Sequence, residues 1–285
     1  MNSLLLIFFC FTFVFLINKF FKNKNWLLSH SGDIHQKFVE KNSIPLTGGI
    51  YLSFLFSFIL FKIGFNYTII FIYLFLFLGI ASDNKIIKSP KVRLLLQTII
   101  IMFFVYFNNL EIINSRIVIV DKLLELKIFN YLFVVFCLLI LINGSNFVDG
   151  LNGLLIGYFI IISVILLKLN FFSFYNFNEQ VLKIYFLMLF FIFFMNLANK
   201  LYLGDSGVYV ISVFYGFLLI NFHINFPLIS PYFFILLLWY PCFENLFSII
   251  RKFRLKRSPI SPDTKHLHQL LFYFLKKKIH LKTLL

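Results

Sequence analysis

The chain has 285 residues, 61% of them hydrophobic and only 13% charged, with 44 phenylalanines. No soluble domain hides that much apolar surface, so composition excludes a soluble enzyme and predicts an all-α polytopic integral membrane protein. The formal net charge of +15 fits cytoplasmic loops that face anionic lipid, so membrane lipid rather than nucleic acid is the expected partner.

The first apolar run, Ser3 to Phe21, ends among Lys19, Lys22 and Lys24. No basic residue precedes it and no small-residue cleavage site follows it. It is therefore expected to be a retained transmembrane helix with its N-terminus outside. Further runs cover about 50–61, 67–81, 94–107, 129–142, 154–169, 183–198, 207–222 and 231–249. These predict about nine helices, several of them short for a span of roughly 20 residues. With the N-terminus outside, segments 22–49, 82–93, 143–153, 199–206 and 250–285 fall on the cytoplasmic side. These segments together with Lys19 then hold 20 of the 26 lysines and arginines, as the positive-inside rule requires. One membrane-embedded domain, 1–285, is expected, with 250–285 as a basic cytoplasmic tail. Cys10, Cys137 and Cys242 lie inside apolar runs, which points to neither a disulfide framework nor a zinc site.

Within the first cytoplasmic segment, Pro45 and the Gly48–Gly49 pair mark a break before the second helix. It is either a plain membrane-entry turn or a place where a ligand approaches the backbone. In the second, Asp83 stands at a helix end, followed by Lys85, Lys88, Lys91 and Arg93. The basic residues are either lipid anchors or, with the acid, a group that handles a metal or a phosphate. Between helices four and five, SRIVIVDK (115–122) alternates enough to predict a short strand or hairpin.

Leu141 to Leu155, LINGSNFVDGLNGLL, interrupts the apolar pattern most sharply. Asn143, Asn146, Asp149 and Asn152 recur every third residue and crowd onto one side if a helical turn continues through them. Three amides and a carboxylate between two membrane helices are expensive unless they face water, a metal or a substrate. The bland alternative is a short polar loop. In MNLANKLYLGDSGVYVIS, Asp205 sits between Gly204 and Ser206. It either caps the next helix or places a hard oxygen ligand beside a phosphate, with Lys200 near enough to neutralise charge. The tail carries SPISPD and then His266 and His268, which suit phosphate or sugar oxygens; two histidines alone are a weak zinc signal.

The run NxxNxxDGxxGL at Asn143 to Leu154, followed by LGDSG at Leu203 to Gly207, resembles the polyprenyl-phosphate N-acetylhexosamine-1-phosphate transferase family. This is glycosyl transferase family 4, whose relatives include phospho-N-acetylmuramoyl-pentapeptide transferase. The IPxxGG, SPKxRLLLQ and SPxxPDxKHLH-like pieces extend the likeness from about Lys37 to Leu271. The resemblance implies transfer of a sugar-1-phosphate from a UDP-N-acetylhexosamine-type donor to polyprenyl (undecaprenyl) phosphate, with release of UMP. That is the first membrane step of a cell-surface glycan, a wall polymer or lipopolysaccharide, at the bacterial cytoplasmic membrane. It implies magnesium, or manganese in its place, held by Asn146 and Asp205. Asp83 and Asp149 take catalytic roles, the latter as support for the nucleotide pocket. Asn143, Asn152, Lys91, Arg93, Lys200, His266 and His268 take substrate-binding roles. The implied partners are the UDP-sugar and the polyprenyl phosphate, and a homodimer is left open.

The chain departs from the family pattern at Ser82, where the first of two adjacent aspartates is usual. It departs also at Glu40 in KFVEK, at Val208 after LGDSG and at Gln269 after the two histidines. The second functional reading is therefore a catalytically degenerate relative that binds lipid phosphate or supports a glycan assembly complex.

Overall fold

The computed structural model describes residues 3–29, 44–175, 177–256 and 266–282. The KFVEK and SPISPD stretches lie outside the described residues. Among the described residues thirteen helices are formed: α1 (Ser3–Asn23), α2 (Gly48–Lys62), α3 (Asn66–Asp83), α4 (Pro90–Phe107), α5 (Val118–Leu124), α6 (Lys127–Val148), α7 (Leu154–Lys168), α8 (Phe171–Phe174), α9 (Glu179–Leu197), α10 (Gly204–Asn225), α11 (Pro231–Leu237), α12 (Trp239–Arg254) and α13 (Leu267–Lys282). Among the described residues the extended pairing is limited to an isolated bridge between Leu28 and Pro45. The protein is an all-α polytopic integral membrane protein.

Each apolar run of the sequence lies in helix. Among the described residues five helices are long and apolar enough to cross a membrane, α3, α4, α6, α9 and α10, or six if α11 and α12 count as one broken span, against about nine expected from the sequence. The 15-residue α2 and α7 are apolar but shorter. The last run breaks because Pro241, in the first turn of α12, has no N–H for the carbonyl four residues earlier. The two pieces meet at 77°.

Helix α10 is the pillar. Every residue from Ser206 to His223 is buried, and α2, α3 and α6 pack around it. A helix apolar on most sides suits either a protein core or a membrane span, and α10 has the former place within the bundle. The α3–α10 crossing is close because Gly79 brings no side chain to it. A Cβ there would lie 2.2 Å from the Ser206 Cα. Deep in the bundle, Ser163 of α7, Tyr185 of α9 and Tyr215 of α10 form a closed ring of hydroxyls. Tyr185 and Tyr215 lie 2.7 Å apart, and Ser163 bonds both. Each hydroxyl thus finds a partner where no water reaches.

The strand expected at 115–122 is absent, and residues 118–124 form α5 instead. Alternation is outweighed by a local closure: Asp121 accepts from the Ser115 N–H at 2.6 Å and from its hydroxyl at 2.7 Å. The carboxylate thereby fixes the first turn of the helix. Asn130 of α6 ties the same loop down through the Ile112 N–H and carbonyl and the Leu124 carbonyl.

Candidate active site

At the end of α3 the chain stops on Asp83, and its carboxylate reaches across to the start of α10. Its two oxygens accept the N–H groups of Asp205 at 2.8 Å and Ser206 at 3.2 Å. These are unsatisfied donors of a helix N-terminus, where a negative charge is favoured. The cap of α10 is therefore Asp83 of a neighbouring helix, not Asp205 or Ser206 of its own. Gly204 makes this approach possible. Its φ is +66°, and a Cβ would lie 2.6 Å from an Asp83 oxygen.

Capped in this way, Asp205 turns its side chain to other partners. Its Oδ2 accepts from Arg93 of α4 at 2.7 Å, from the Ser82 hydroxyl at 2.5 Å and from the Tyr209 hydroxyl at 3.3 Å. The Arg93 guanidinium also donates to the Ser82 Oγ at 3.1 Å. Ser82, Asp83, Arg93 and Asp205, four residues of three helices, meet at the junction of α3, α4 and α10.

The LINGSNFVDG stretch continues as helix through Val148, so Asn143 and Asn146 stand on the last turns of α6 and Asp149 follows at its end. Asn143 donates to the Leu139 carbonyl at 2.8 Å and to Gln97 at 3.5 Å. Asn146 and Asp149 are half-buried, and among the described residues no hydrogen bond reaches either side chain. Burial, with the negative charges of Asp205 and Asp83, holds the Asp149 carboxyl well above the usual carboxylate range. Asp83 and Asp205 thus share the field of the Arg93 guanidinium, and Asn146, Asp149 and Asp205 carry oxygen donors of the kind that magnesium takes. Among the described residues, no group of three His, Cys, Asp or Glu side chains is gathered closely enough to hold a metal.

Other expected residues have different surroundings. The Asn152 amide donates to Asn199 at 2.5 Å, and the Gly153 N–H donates to Asn196 at 2.6 Å. The Asn–Asp stretch is thereby sewn to the loop that leads into LGDSG. Lys91 and Lys200 are exposed, and among the described residues neither side chain is tied to the carboxylates. The Gly48–Gly49 pair is approached by protein rather than ligand. The Gly48 N–H donates to the Tyr202 carbonyl at 3.0 Å, and a Cβ on Gly49 would meet the Gly207 N at 2.6 Å. That space is filled by the LGDSG turn.

His266 and His268 pack against the Asn–Asp stretch. His266 stacks on Phe147 with ring centroids 4.7 Å apart, and its Nδ1 lies 2.9 Å from Glu244 of α12. The Nδ1 of His268 lies 3.0 Å from the Tyr240 hydroxyl. Burial and neighbouring His266 push the His268 imidazole down to about 4, so it is neutral at physiological pH. Tyr209, Tyr240, Glu244, Asn196 and Asn199 had no place in the sequence reading. Glu244 alone carries a readable signal, a lone acid inside the apolar run 231–249.

The family model described as glycosyl transferase family 4 matches residues 65–223. One relative, a probable undecaprenyl-phosphate N-acetylglucosaminyl 1-phosphate transferase of Bacillus subtilis (strain 168), is 28% identical over 212 residues, covering 71% of this chain and 56% of the relative. An undecaprenyl-phosphate alpha-N-acetylglucosaminyl 1-phosphate transferase of Thermotoga maritima is 29% identical over 128 residues, 45% of this chain and 38% of its own length. A phospho-N-acetylmuramoyl-pentapeptide-transferase of Dictyoglomus thermophilum is 27% identical over 188 residues, 61% of this chain and 58% of its own. The chain spans about half the length of the curated relatives it matches. The matched region runs from the start of α3 to the end of α10 and holds Asp83, Arg93, Asn146, Asp149 and Asp205, and on it the chain belongs to glycosyl transferase family 4.

Proposed function

We propose that the protein transfers a sugar-1-phosphate from a UDP-N-acetylhexosamine-type donor to polyprenyl phosphate and releases UMP. A phosphate oxygen of the lipid attacks the β-phosphorus, the bond from that phosphorus to the bridging oxygen breaks, and the bridging oxygen leaves with UMP. The observation that carries this reading is the meeting of Asp83, Arg93 and Asp205 at one junction, with Asp149 within electrostatic reach. A phosphoryl transfer of this kind needs little covalent help from the protein and much positioning and charge compensation.

In this reading Arg93 and, from the surface, Lys91 and Lys200 bind phosphate oxygens, and Asn152 and Asn143 contact the nucleotide-sugar. Asn146 and Asp205 are the proposed magnesium ligands. When bound, the ion supplies positive charge that offsets the diphosphate and the attacking phosphate. Asp83 keeps LGDSG in place and faces the lipid phosphate; each of its oxygens has a lone pair beyond the N–H that it accepts. A prenyl phosphate is already largely ionised near neutral pH, so no strong base is required. Asp149 supports the nucleotide pocket.

A second reading, a degenerate relative that binds lipid phosphate without turnover, is favoured by one contact. Ser82 stands where an aspartate is usual in the family and donates to the proposed metal ligand Asp205. A panel of UDP-sugars with undecaprenyl phosphate, purified protein and a UMP-release readout separates the two. UMP release with at least one sugar supports the transferase. Binding of polyprenyl phosphate without UMP from any sugar, together with turnover restored by Ser82→Asp, supports the degenerate relative.

A further inference from the structure

Glu244 is 2% exposed, and a carboxylate so buried must be paired. Its Oε1 accepts the Leu267 N–H at 2.7 Å, and its Oε2 lies 2.9 Å from the His266 Nδ1. Both partners belong to the stretch that opens α13, 22 and 23 residues further along the chain. On its other side that stretch lies against the Asn–Asp segment. His266 stacks on Phe147 at 4.7 Å, next in sequence to Asn146. The His268 ring, parallel to that of His266 at 5.9 Å, presses its Nε2 on Gly150, where a Cβ would come within 2.5 Å.

A carboxylate on Nδ1 orients an imidazole ring, and an imidazolium held in this way keeps its Nε2–H free to donate to an anion. Among the described residues the His266 Nε2 has no hydrogen-bond partner. The His268 Nδ1 is taken by Tyr240, and its Nε2 is sealed against Gly150. Of the two histidines, His266 alone offers a ring nitrogen to a ligand, and Glu244 determines which one.

We propose that Glu244 is a positioning residue of the nucleotide-sugar site: it clamps residues 266–268 of the tail onto residues 147–150 and aims the His266 Nε2 at the phosphates of the donor. This rests on the transferase reading of the site. Glu244 touches no reacting atom and acts only through His266 and the Leu267 N–H.

The test is binding of radiolabelled UDP, without lipid acceptor, to the full chain in nanodiscs. Wild type, Glu244→Ala, Glu244→Gln, His266→Ala and the Glu244→Ala/His266→Ala pair are compared. Glu244→Ala and His266→Ala should each weaken UDP about 10- to 100-fold, as loss of an orienting partner does. The pair should be no weaker than His266→Ala, because the two act as one unit. Glu244→Gln keeps an acceptor of the same reach without its charge and should fall between; it carries the test if Glu244→Ala fails to fold. Wild-type affinity in the Glu244 variants, or losses that add in the pair, would overturn the proposal while leaving the transferase reading intact. A wild-type chain that bound no UDP would remove that reading and this role together.

Discussion

Asp205 carries the most connections in the site, and its neighbours decide what its replacement does. Asp205→Asn removes the charge that pairs with Arg93 and leaves a neutral amide at the proposed metal position. Turnover should fall by about 100-fold or more at any practical magnesium concentration. Substantial activity in this variant would show that the metal ligand is assigned wrongly. Asp149 behaves in the opposite sense for stability. Its folded-state pKa is raised by burial and by Asp205 and Asp83, so above the unfolded value its ionised form costs stability rather than adding it. Asp149→Asn should therefore raise the thermal midpoint near neutral pH while lowering activity, and a lowered midpoint would contradict the electrostatic reading.

Ser82 is the third residue-scale case. Ser82→Asp would add a third carboxylate beside Arg93. It should leave turnover equal or raise it, and lower the magnesium concentration that gives half-maximal rate. An unchanged magnesium dependence would place position 82 outside the ion's reach. Asp83, Arg93 and Asp205 were legible because they are rare charges beside helix ends in an apolar chain. Tyr209 and Tyr240 were not, because a tyrosine amid many aromatics carries no mark of the carboxylate or imidazole that it binds.

Among the elements, α10 depends on close approach more than on propensity. Gly79→Val would drive α3 from the Ser206 backbone, and overpacking of this kind costs about 1–3 kcal/mol. The expected outcome is a lowered thermal midpoint in detergent together with lost activity, since Asp83 sits one turn beyond on the same helix. Wild-type stability in Gly79→Val would mean that the crossing is looser than the 2.2 Å contact requires. The helices themselves were readable from apolar runs bounded by Pro, Gly and Asn. The hidden parts were two local events. The Asp121–Ser115 closure turned an alternating stretch into α5, and Pro241 split one run into α11 and α12. Periodicity averages over a window and is blind to a single carboxylate or a single missing N–H.

For the whole molecule, the lysine and arginine distribution and the gathering of the site predict one arrangement in the membrane. Residues 143–153 and 199–206 are joined by the Asn152–Asn199 bond, so reporters at Asp149 and Asp205 must agree. They should report the cytoplasm together with Leu285, while Asn2 and the 108–128 loop report the outside. The reverse orientation would separate the site from a cytoplasmic nucleotide donor. The proposed reaction moves the sugar together with its own phosphate. The direct test uses undecaprenyl phosphate and UDP-N-acetylglucosamine labelled with 32P at the β-phosphorus and with 14C in the sugar. The expected result is magnesium-dependent movement of the 32P into the lipid fraction, with unlabelled UMP left in water. Label that stayed in the aqueous phase while labelled sugar entered the lipid would contradict it.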